Sequence, residues 1–99
     1  DRFKIAYEGK VYDVEAYIPA TFKADKNTVV YTDRSNRLWA FIKGEKKYLT
    51  NEAVEDFYVY NDLIMLHLER DRFKIYYVLI VWLDARRLVE EVYNLEIMK

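Results

Sequence analysis

Histidine and cysteine, which supply much catalytic and zinc chemistry, are scarce in this chain of 99 residues. Its single histidine, His67, lies in the apolar stretch LIMLHLE, and the chain contains no cysteine. A zinc site needs several histidine or cysteine ligands, and a hydrolase triad needs a histidine beside a nucleophile, so the sequence argues against both. We expect His67 to be a half-buried strand residue. Without cysteine there is also no disulfide framework.

The acidic residues and the glycines form no catalytic pattern either. Glu90 and Glu91 are adjacent, so on a helix they point to different sides and cannot form the facing carboxylate pair of a glycosidase. Gly9 and Gly44 occupy hairpin turns rather than a phosphate-binding glycine loop. The sequence therefore predicts no catalytic residue, no metal site, no cofactor and no enzymatic activity.

Aromatic residues are the feature that favours binding. Ten tyrosines, five phenylalanines and two tryptophans exceed what a small core needs, although cross-strand packing accounts for many of them. Aromatic side chains contribute much of the binding energy at protein interfaces. We expect apolar residues near the C-terminus to belong to the same interface. The predicted interface residues are Trp39, Tyr58, Tyr60, Ile80, Val81 and Trp82.

A repeated pentapeptide shows how the elements that carry these residues are organised. DRFKI occurs at residues 1–5 and again at 71–75, and NRLWA stands halfway, at 36–40. The three arginines are thus spaced by 35 residues, and a fixed period of this size is typical of repeat architectures. The positions that this shift makes equivalent are Phe3, Leu38 and Phe73; Gly9 and Gly44; Phe22 and Phe57; and residues 28–32 and 63–67.

The period divides one folded domain into units. A hydrophobic content of 53% is sufficient to build a core over residues 1–99. We predict repeat 1 at 1–35, repeat 2 at 36–70, and a partial, divergent repeat 3 or cap at 71–99.

Each unit has the pattern of four short antiparallel strands. Alternating apolar and polar residues surround Glu8 and Gly9, which predicts a hairpin whose turn uses glycine for a positive φ. After Pro19, TFKA and TVVYT give two more strands, separated by the turn residues DKN. The predicted fold class is therefore all-β, built of up-and-down meanders.

Four short strands in each repeat resemble the blades of a β-propeller. The resemblance covers residues 1 to about 77 and rests on the pattern VxYxDxxxxxxxFxxGKxYxL. The Gly-His and Trp-Asp pairs of WD repeats and the double glycine of kelch repeats are missing, so the subfamily is undefined. Propeller-like folds carry binding, scaffolding and occasional enzymatic roles, so the resemblance implies architecture more than activity. Units of about 35 residues leave a single-layer β-array as an alternative.

The C-terminal part departs from the pattern. Residues 76–83, YYVLIVWL, form an apolar run that predicts a strand buried on both faces and is too short for a transmembrane helix. Residues 84–99 predict a short C-terminal helix that starts at Asp84, because Leu88, Val92 and Leu95 share one face. The same residues also fit another hairpin. Either element would cap one end of the array.

The net charge and the number of repeats indicate which partners to expect. The net charge of −1 argues against nucleic acid, and the chain carries about +3 in residues 1–50 and −4 in 51–99. An unclosed set of repeats exposes strand edges, which predicts a structural, self-associating module that forms an oligomer or filament, head to tail. The alternative is a recognition module that binds a glycan, a peptide or another protein through exposed Tyr and Trp.

Overall fold

The computed structural model describes residues 1–82 and 89–92. These residues carry ten strands, one short helix, α1 (Val78–Trp82), and a 3-10 turn at Glu69–Asp71. The strands are β1 (Phe3–Tyr7), β2 (Lys10–Glu15), β3 (Phe22–Asp25), β4 (Thr28–Thr32), β5 (Leu38–Ile42), β6 (Glu45–Thr50), β7 (Val54–Tyr60), β8 (Leu63–Leu68), β9 (Phe73–Tyr77) and β10 (Val89–Val92).

The strands form three antiparallel sheets in which each strand pairs with its neighbour along the chain. We call β1–β2 the half-sheet, β3–β4–β5–β6 the first full sheet, and β7–β8–β9–β10 the second full sheet. This arrangement confirms the predicted all-β fold of antiparallel meanders.

The strand positions follow the 35-residue spacing of the sequence. Phe3, Leu38 and Phe73 each begin a strand of five residues, β1, β5 and β9, and all three side chains are buried. The pairing registers repeat as well, because Phe22 lies opposite Tyr31 and Phe57 lies opposite Leu66. A repeat can be cut anywhere in its period, so the unit boundaries 1–35, 36–70 and 71–99 stay a prediction.

Left-handed turn residues set the hairpins. Gly9 and Gly44 have φ of 76° and 87°, and the residues before them, Glu8 and Lys43, have φ of 50° and 51°. Two successive positive φ values are typical of the two-residue type I′ turn, whose twist matches that of the flanking strands. This is the glycine hairpin that the sequence predicts.

The main core lies between the two full sheets. Leu38, Ala40 and Ile42 of β5 are fully buried, as are Ile64 and Leu66 of β8. The other buried members of this core cluster are Val30, Phe57, Leu68, Tyr76 and Val78. Burial of apolar surface at about 25 cal/mol per Å² makes this contact between sheets the principal source of stability.

The predicted buried strand at 76–83 is wrong beyond Tyr77. The chain turns into α1, and the Val78 backbone N–H donates to the Asp62 carbonyl over 2.8 Å. Val78 and Leu79 stand where the first full sheet has Lys43 and Gly44, and a β-branched residue followed by leucine strongly disfavours positive φ. The tight glycine turn is therefore replaced by a wider connection that begins with α1. No helix in the described part of the chain is long and apolar enough to cross a membrane.

The predicted C-terminal helix is wrong at Val89–Val92, which form β10. This strand pairs with β9, with Val89 opposite Tyr76 and Val92 opposite Phe73. Pairing gives partners to the peptide groups along the outer edge of β9, which local helix propensity does not take into account. The strand agrees with the alternative hairpin interpretation of this segment. The rest of the predicted helix, at 84–88 and 93–99, lies outside the described residues.

Candidate functional site

The half-sheet has an edge that its counterparts in the full sheets do not have. Strand β1 corresponds to β5 and β9, and each of those is paired on both sides, β5 by β4 and β6, and β9 by β8 and β10. Within the residues that the structure describes, β1 pairs with β2 alone. Among the described residues, no strand occupies the position beside β1 that β4 and β8 occupy in the full sheets.

The backbone groups on this edge can be assigned from the pairing register. Tyr7 lies opposite Lys10 across the two-residue turn, and Ile5 lies opposite Tyr12. Peptide groups of an antiparallel strand alternate between its two sides, so Tyr7 and Ile5 bond to β2. The N–H and C=O groups of Lys4 and Ala6 then point away from β2. We call these two residues the open edge of β1.

The side chains of β1 give the half-sheet one apolar face. Phe3 is buried, and its ring centre lies 5.5 Å from that of Phe22 and 5.4 Å from that of Tyr31. Ile5 and Tyr7 on the same face are only half-buried, whereas Ala40 and Ile42, their equivalents in β5, are fully buried. The open edge thus borders apolar surface that a further strand would cover.

Polar contacts hold the half-sheet on the first full sheet. The Tyr31 hydroxyl donates to Glu15 Oε2 over 2.8 Å, and the same carboxylate forms an ion pair with Lys46. Burial, and next the hydrogen bond to Glu15, raise the pKa of the Tyr31 hydroxyl far above its usual value, so it remains a donor. The ring of Tyr12 packs at 5.2 Å from that of Phe41. These contacts therefore hold the half-sheet, and the open edge of β1 with it, in a defined position on the first full sheet.

A cavity of about 670 Å³ lies where the tight turns of the full sheets meet α1. Its apolar wall includes Ile42, Leu79 and Trp82, and Lys43 stands over the Trp82 ring with its ammonium 4.8 Å from the ring centre. The Trp82 indole N–H is buried and has no hydrogen-bond partner among the described residues. The remaining lining residues are Lys26, Asn27, Thr28, Asn61, Asp62, Tyr77 and Val78.

The structure separates the predicted interface residues into two groups. Tyr58 and Tyr60 are 41% and 70% exposed and lie two residues apart on β7, so they share one face of the strand. Trp39 is half-buried, because its indole N–H donates to Asp33 Oδ2 over 2.7 Å and its ring packs against Tyr48. Tyr58 and Tyr60 therefore present exposed aromatic surface, whereas most of Trp39 is engaged within the chain.

The predicted interface residues near the C-terminus lie on α1. Val81 and Trp82 are half-buried and pack against the core between the full sheets. Ile80 lies in the same helix, and its side chain is outside the described structure. Leu79 is 55% exposed and presents apolar surface on α1.

The only histidine of the sequence lies on the surface of β8 and does not join a group of possible metal ligands among the described residues. His67 is half-buried in β8, as expected, and its ring stacks on Phe73 with centres 4.6 Å apart. Its Nε2 lies 3.4 Å from Asp71 Oδ1, on the surface. The described residues contain no group of three or more side chains that could hold a metal ion.

The sequence interpretation missed two features of this site. The sequence predicts exposed strand edges but does not assign one to β1, because periodicity does not say which strand of a blade comes first in the chain. Asp33 was missed because it was assigned to a turn, whereas it is buried and accepts hydrogen bonds from Ser35, Arg37 and Trp39. Burial raises the pKa of Asp33, but these bonds outweigh burial and hold the pKa below its usual value.

Repeated four-stranded meanders that pack face to face define a β-propeller type of repeat protein. The chain belongs to the 10-bladed β-propeller domain family, because the model of that family matches residues 1–78. Comparison with curated proteins and with solved structures finds no match. The match confirms the propeller resemblance of the sequence.

Proposed function

We propose that this chain is a non-catalytic structural module that joins another β-repeat unit by strand addition at the open edge of β1. The observation that carries the proposal is that β5 and β9, the counterparts of β1, are paired on both sides. The described strands form two full sheets and one half-sheet, so a ring of ten blades requires further units. An exposed strand edge is the natural place for such a unit to join.

Strand addition at this edge has a favourable free energy from two sources. The peptide groups of Lys4 and Ala6 exchange water for protein partners, each bond with a net gain of about 0.5–1.5 kcal/mol. The side chains of Ile5 and Tyr7 are half-buried, and removing their exposed apolar surface from water gains about 25 cal/mol per Å². Electrostatic attraction between the unlike halves of the chain steers encounter more than it stabilises the contact.

Three of the described side chains of the C-terminal apolar run pack within their own chain. Val78 is buried, and Val81 and Trp82 pack on the core of their own chain. Leu79 remains as exposed apolar surface on α1. The proposal therefore rests on β1 rather than on residues 76–83.

A proline variant with a matched control tests the proposal. Ala6→Pro removes an outward N–H from β1, and Ala24→Pro removes an outward N–H from β3, because Lys23 and Asp25 are the residues whose peptide groups face β4. We expect the molar mass from light scattering after size exclusion to rise with concentration for the wild type and Ala24→Pro, and to stay monomeric for Ala6→Pro. A wild type that is monomeric at every concentration would contradict the proposal.

A recognition module is the second candidate, and the exposed face of β7 favours it. Tyr58 and Tyr60 stand on that face, and the ammonium of Lys23 lies 4.7 Å from the centre of the Tyr58 ring. Tyrosine rings with a nearby donor suit a sugar or peptide ligand. On a glycan array, the wild type should bind a defined set and Tyr60→Ala should lose it. Equal binding by both chains, or none, would count against this candidate.

A further inference from the structure

We propose that the cavity beside α1 binds a small organic anion, with its lysines meeting the acid group and its apolar wall covering the rest of the ligand. The lining combines three features that suit such a ligand: apolar surface, a hydrogen-bond donor without a partner, and ammonium groups without an ion pair. Strand β1 contributes no residue to the lining, so this inference does not depend on the proposed function.

Helix α1 supplies one wall of the cavity at a place where the first full sheet has a tight turn. In that sheet, Lys43 and Gly44 close the β5–β6 hairpin with φ of 51° and 87°. At the equivalent place in the second full sheet, Val78 and Leu79 lead into α1 instead. The turns after β3, β5 and β7 supply the rest of the described lining. The cavity is therefore specific to the end of the sheets where α1 replaces a hairpin.

The apolar wall suits the body of an organic ligand. Ile42 is fully buried, Val78 is 8% exposed and Trp82 is half-buried, so these side chains form the inner part of the wall. Tyr77 and Leu79 are 39% and 55% exposed, which places them where the cavity meets solvent. The volume of about 670 Å³ lies within the range of about 300–1,000 Å³ that is typical of small-molecule sites.

Trp82 adds a donor that lacks an acceptor. Its indole nitrogen is buried and has no hydrogen-bond partner among the described residues. Such a donor is unfavourable, because burial has removed its hydrogen bonds to water without replacing them. The indole of Trp39, in contrast, donates to Asp33. A ligand oxygen in the cavity would give Trp82 the acceptor that Trp39 already has.

The charged side chains of the lining favour an anion. Lys26 and Lys43 are exposed, and neither forms an ion pair within the described part of the chain. Asp62 supplies one carboxylate to the described lining, so the ammonium groups exceed it by one. The Lys43 ammonium lies 4.8 Å from the centre of the Trp82 ring, whose N–H is the free donor. An acid group beside this ring gains charge-assisted hydrogen bonds, which are stronger than bonds between neutral groups.

Titration with naphthoate, followed through the indole N–H signals in NMR, tests the proposal. The chain has two tryptophans, so the Trp39 signal, assigned with Trp39→Phe, is an internal control for that of Trp82. Naphthoate should shift the Trp82 signal saturably and leave the Trp39 signal in place. Naphthamide has the same rings without the charge, and it should bind about ten times more weakly because the charge-assisted bonds are lost. Acetate, which lacks the apolar body, should shift neither signal at the same concentrations.

Matched lysine variants test the role of charge. Lys43→Met keeps the length of the side chain and removes its ammonium, so the affinity for naphthoate should fall about three to ten times, while that for naphthamide stays the same. Lys10→Met is the control, because the Lys10 ammonium stands 5.2 Å from the centre of the Tyr12 ring but outside the lining of the cavity. Asp62→Asn should raise the affinity for naphthoate, because it removes a like charge.

Two kinds of result would overturn the proposal. A Trp82 signal that naphthoate leaves unmoved, or moves no more than the Trp39 signal, would exclude this site. Equal affinities for naphthoate and naphthamide, or equal naphthoate affinities of Lys43→Met and Lys10→Met, would exclude the preference for an anion. Neither result bears on strand addition, which the molar mass of the proline variants tests separately.

Discussion

Asp33 joins the turn after β4 to the start of β5 through one buried carboxylate. It accepts from the backbone N–H groups of Ser35 and Arg37, from Arg37 Nε, and from the Trp39 indole at 2.7 Å. The corresponding position in the second full sheet is Leu68, followed by the 3-10 turn at Glu69–Asp71. The two turns therefore lead into equivalent strands, but different interactions stabilise them.

Removing the Asp33 carboxylate should destabilise the fold. We expect Asp33→Ala to lower the free energy of unfolding by about 1–3 kcal/mol, because it removes the shared acceptor of several part-buried N–H donors. Asp13→Ala is the control, since Asp13 forms an exposed ion pair with Arg2, a class that contributes about 0–1 kcal/mol. Urea denaturation of both variants measures the difference. Equal losses would contradict the assigned role of Asp33.

Glu52 links the connection between the full sheets to the start of β9. Its carboxylate accepts from Arg72 Nη2 at 3.0 Å and contacts the ammonium of Lys74. The hydrogen bonds from Lys74 and next from Arg72 lower the pKa of Glu52 below its model-compound value of 4.5. A lowered pKa in the folded state means that the stabilisation is complete above pH 4.5 and is lost as the pH falls through the folded value.

The pH dependence of stability should report this contact. We expect Glu52→Gln to lower the free energy of unfolding by about 0.5–1 kcal/mol at pH 7, as for a partly exposed ion pair. The difference between wild type and variant should shrink as the pH falls below 4.5. Denaturation midpoints from pH 3 to pH 7 measure it, with Glu8→Gln in the exposed β1–β2 turn as the control. A difference that is constant across this range would contradict the assignment.

Two equivalent glycine turns differ in what surrounds them. Both Gly9 and Gly44 have positive φ, but a Cβ on Gly9 would meet no atom within 4 Å, whereas a Cβ on Gly44 would lie 2.8 Å from the Tyr12 hydroxyl. The turn of β5–β6 is therefore packed under β2 of the half-sheet, and the turn of β1–β2 is free. Tyr12 couples the half-sheet to the first full sheet at this point.

Alanine at the two turns should separate backbone strain from packing. Gly9→Ala should cost about 1–2 kcal/mol, because the left-handed conformation is strained for any residue with a Cβ. Gly44→Ala should cost about 1–3 kcal/mol more, because Tyr12 must also move. Thermal or urea unfolding of the two variants gives the comparison. The coupling through Tyr12 is wrong if the two losses agree within error, and Tyr12→Phe in the Gly44→Ala background should recover part of the loss.

The elements differ in how far the sequence predicts them, for physical reasons. Strands β1, β5 and β9 were predictable because the 35-residue spacing and the alternating pattern can be read from the sequence alone, and β1 and β5 are also followed by glycine turns. Helix α1 was not, since an apolar run such as 76–83 fits a buried strand or a short helix equally well. Strand β10 forms because β9 offers an edge, and this depends on a contact distant in sequence.

The residues of the candidate site also differ in how far the sequence predicts them. The sequence contains more aromatic residues than a small core needs, and the exposure of Tyr58 and Tyr60 agrees with that excess. Their role in binding stays a prediction. Trp39 donates a hydrogen bond and Trp82 packs on the core within the chain, and composition does not reveal either contact. The open edge depends on which strands share a sheet, so it follows from the pairing and not from the repeat period.

At the scale of the whole molecule, the described residues form two four-stranded propeller sheets and one two-stranded half-sheet. The two full sheets bury their facing surfaces against each other, and the half-sheet leaves Ile5, Tyr7 and Phe22 partly exposed beside its open edge. Membership of the 10-bladed β-propeller domain family implies that such sheets operate in larger sets. Completion of the half-sheet is thus the step that connects the fold to the proposed function.

Amide hydrogen exchange, followed residue by residue with NMR at increasing protein concentration, tests this claim most directly. Within β1, the amides of Ile5 and Tyr7 face β2 and should be protected at every concentration. The amides of Lys4 and Ala6 should exchange freely in dilute protein and become protected as the concentration rises. Lys4 and Ala6 amides that exchange at the same fast rate at all concentrations would contradict strand addition at β1.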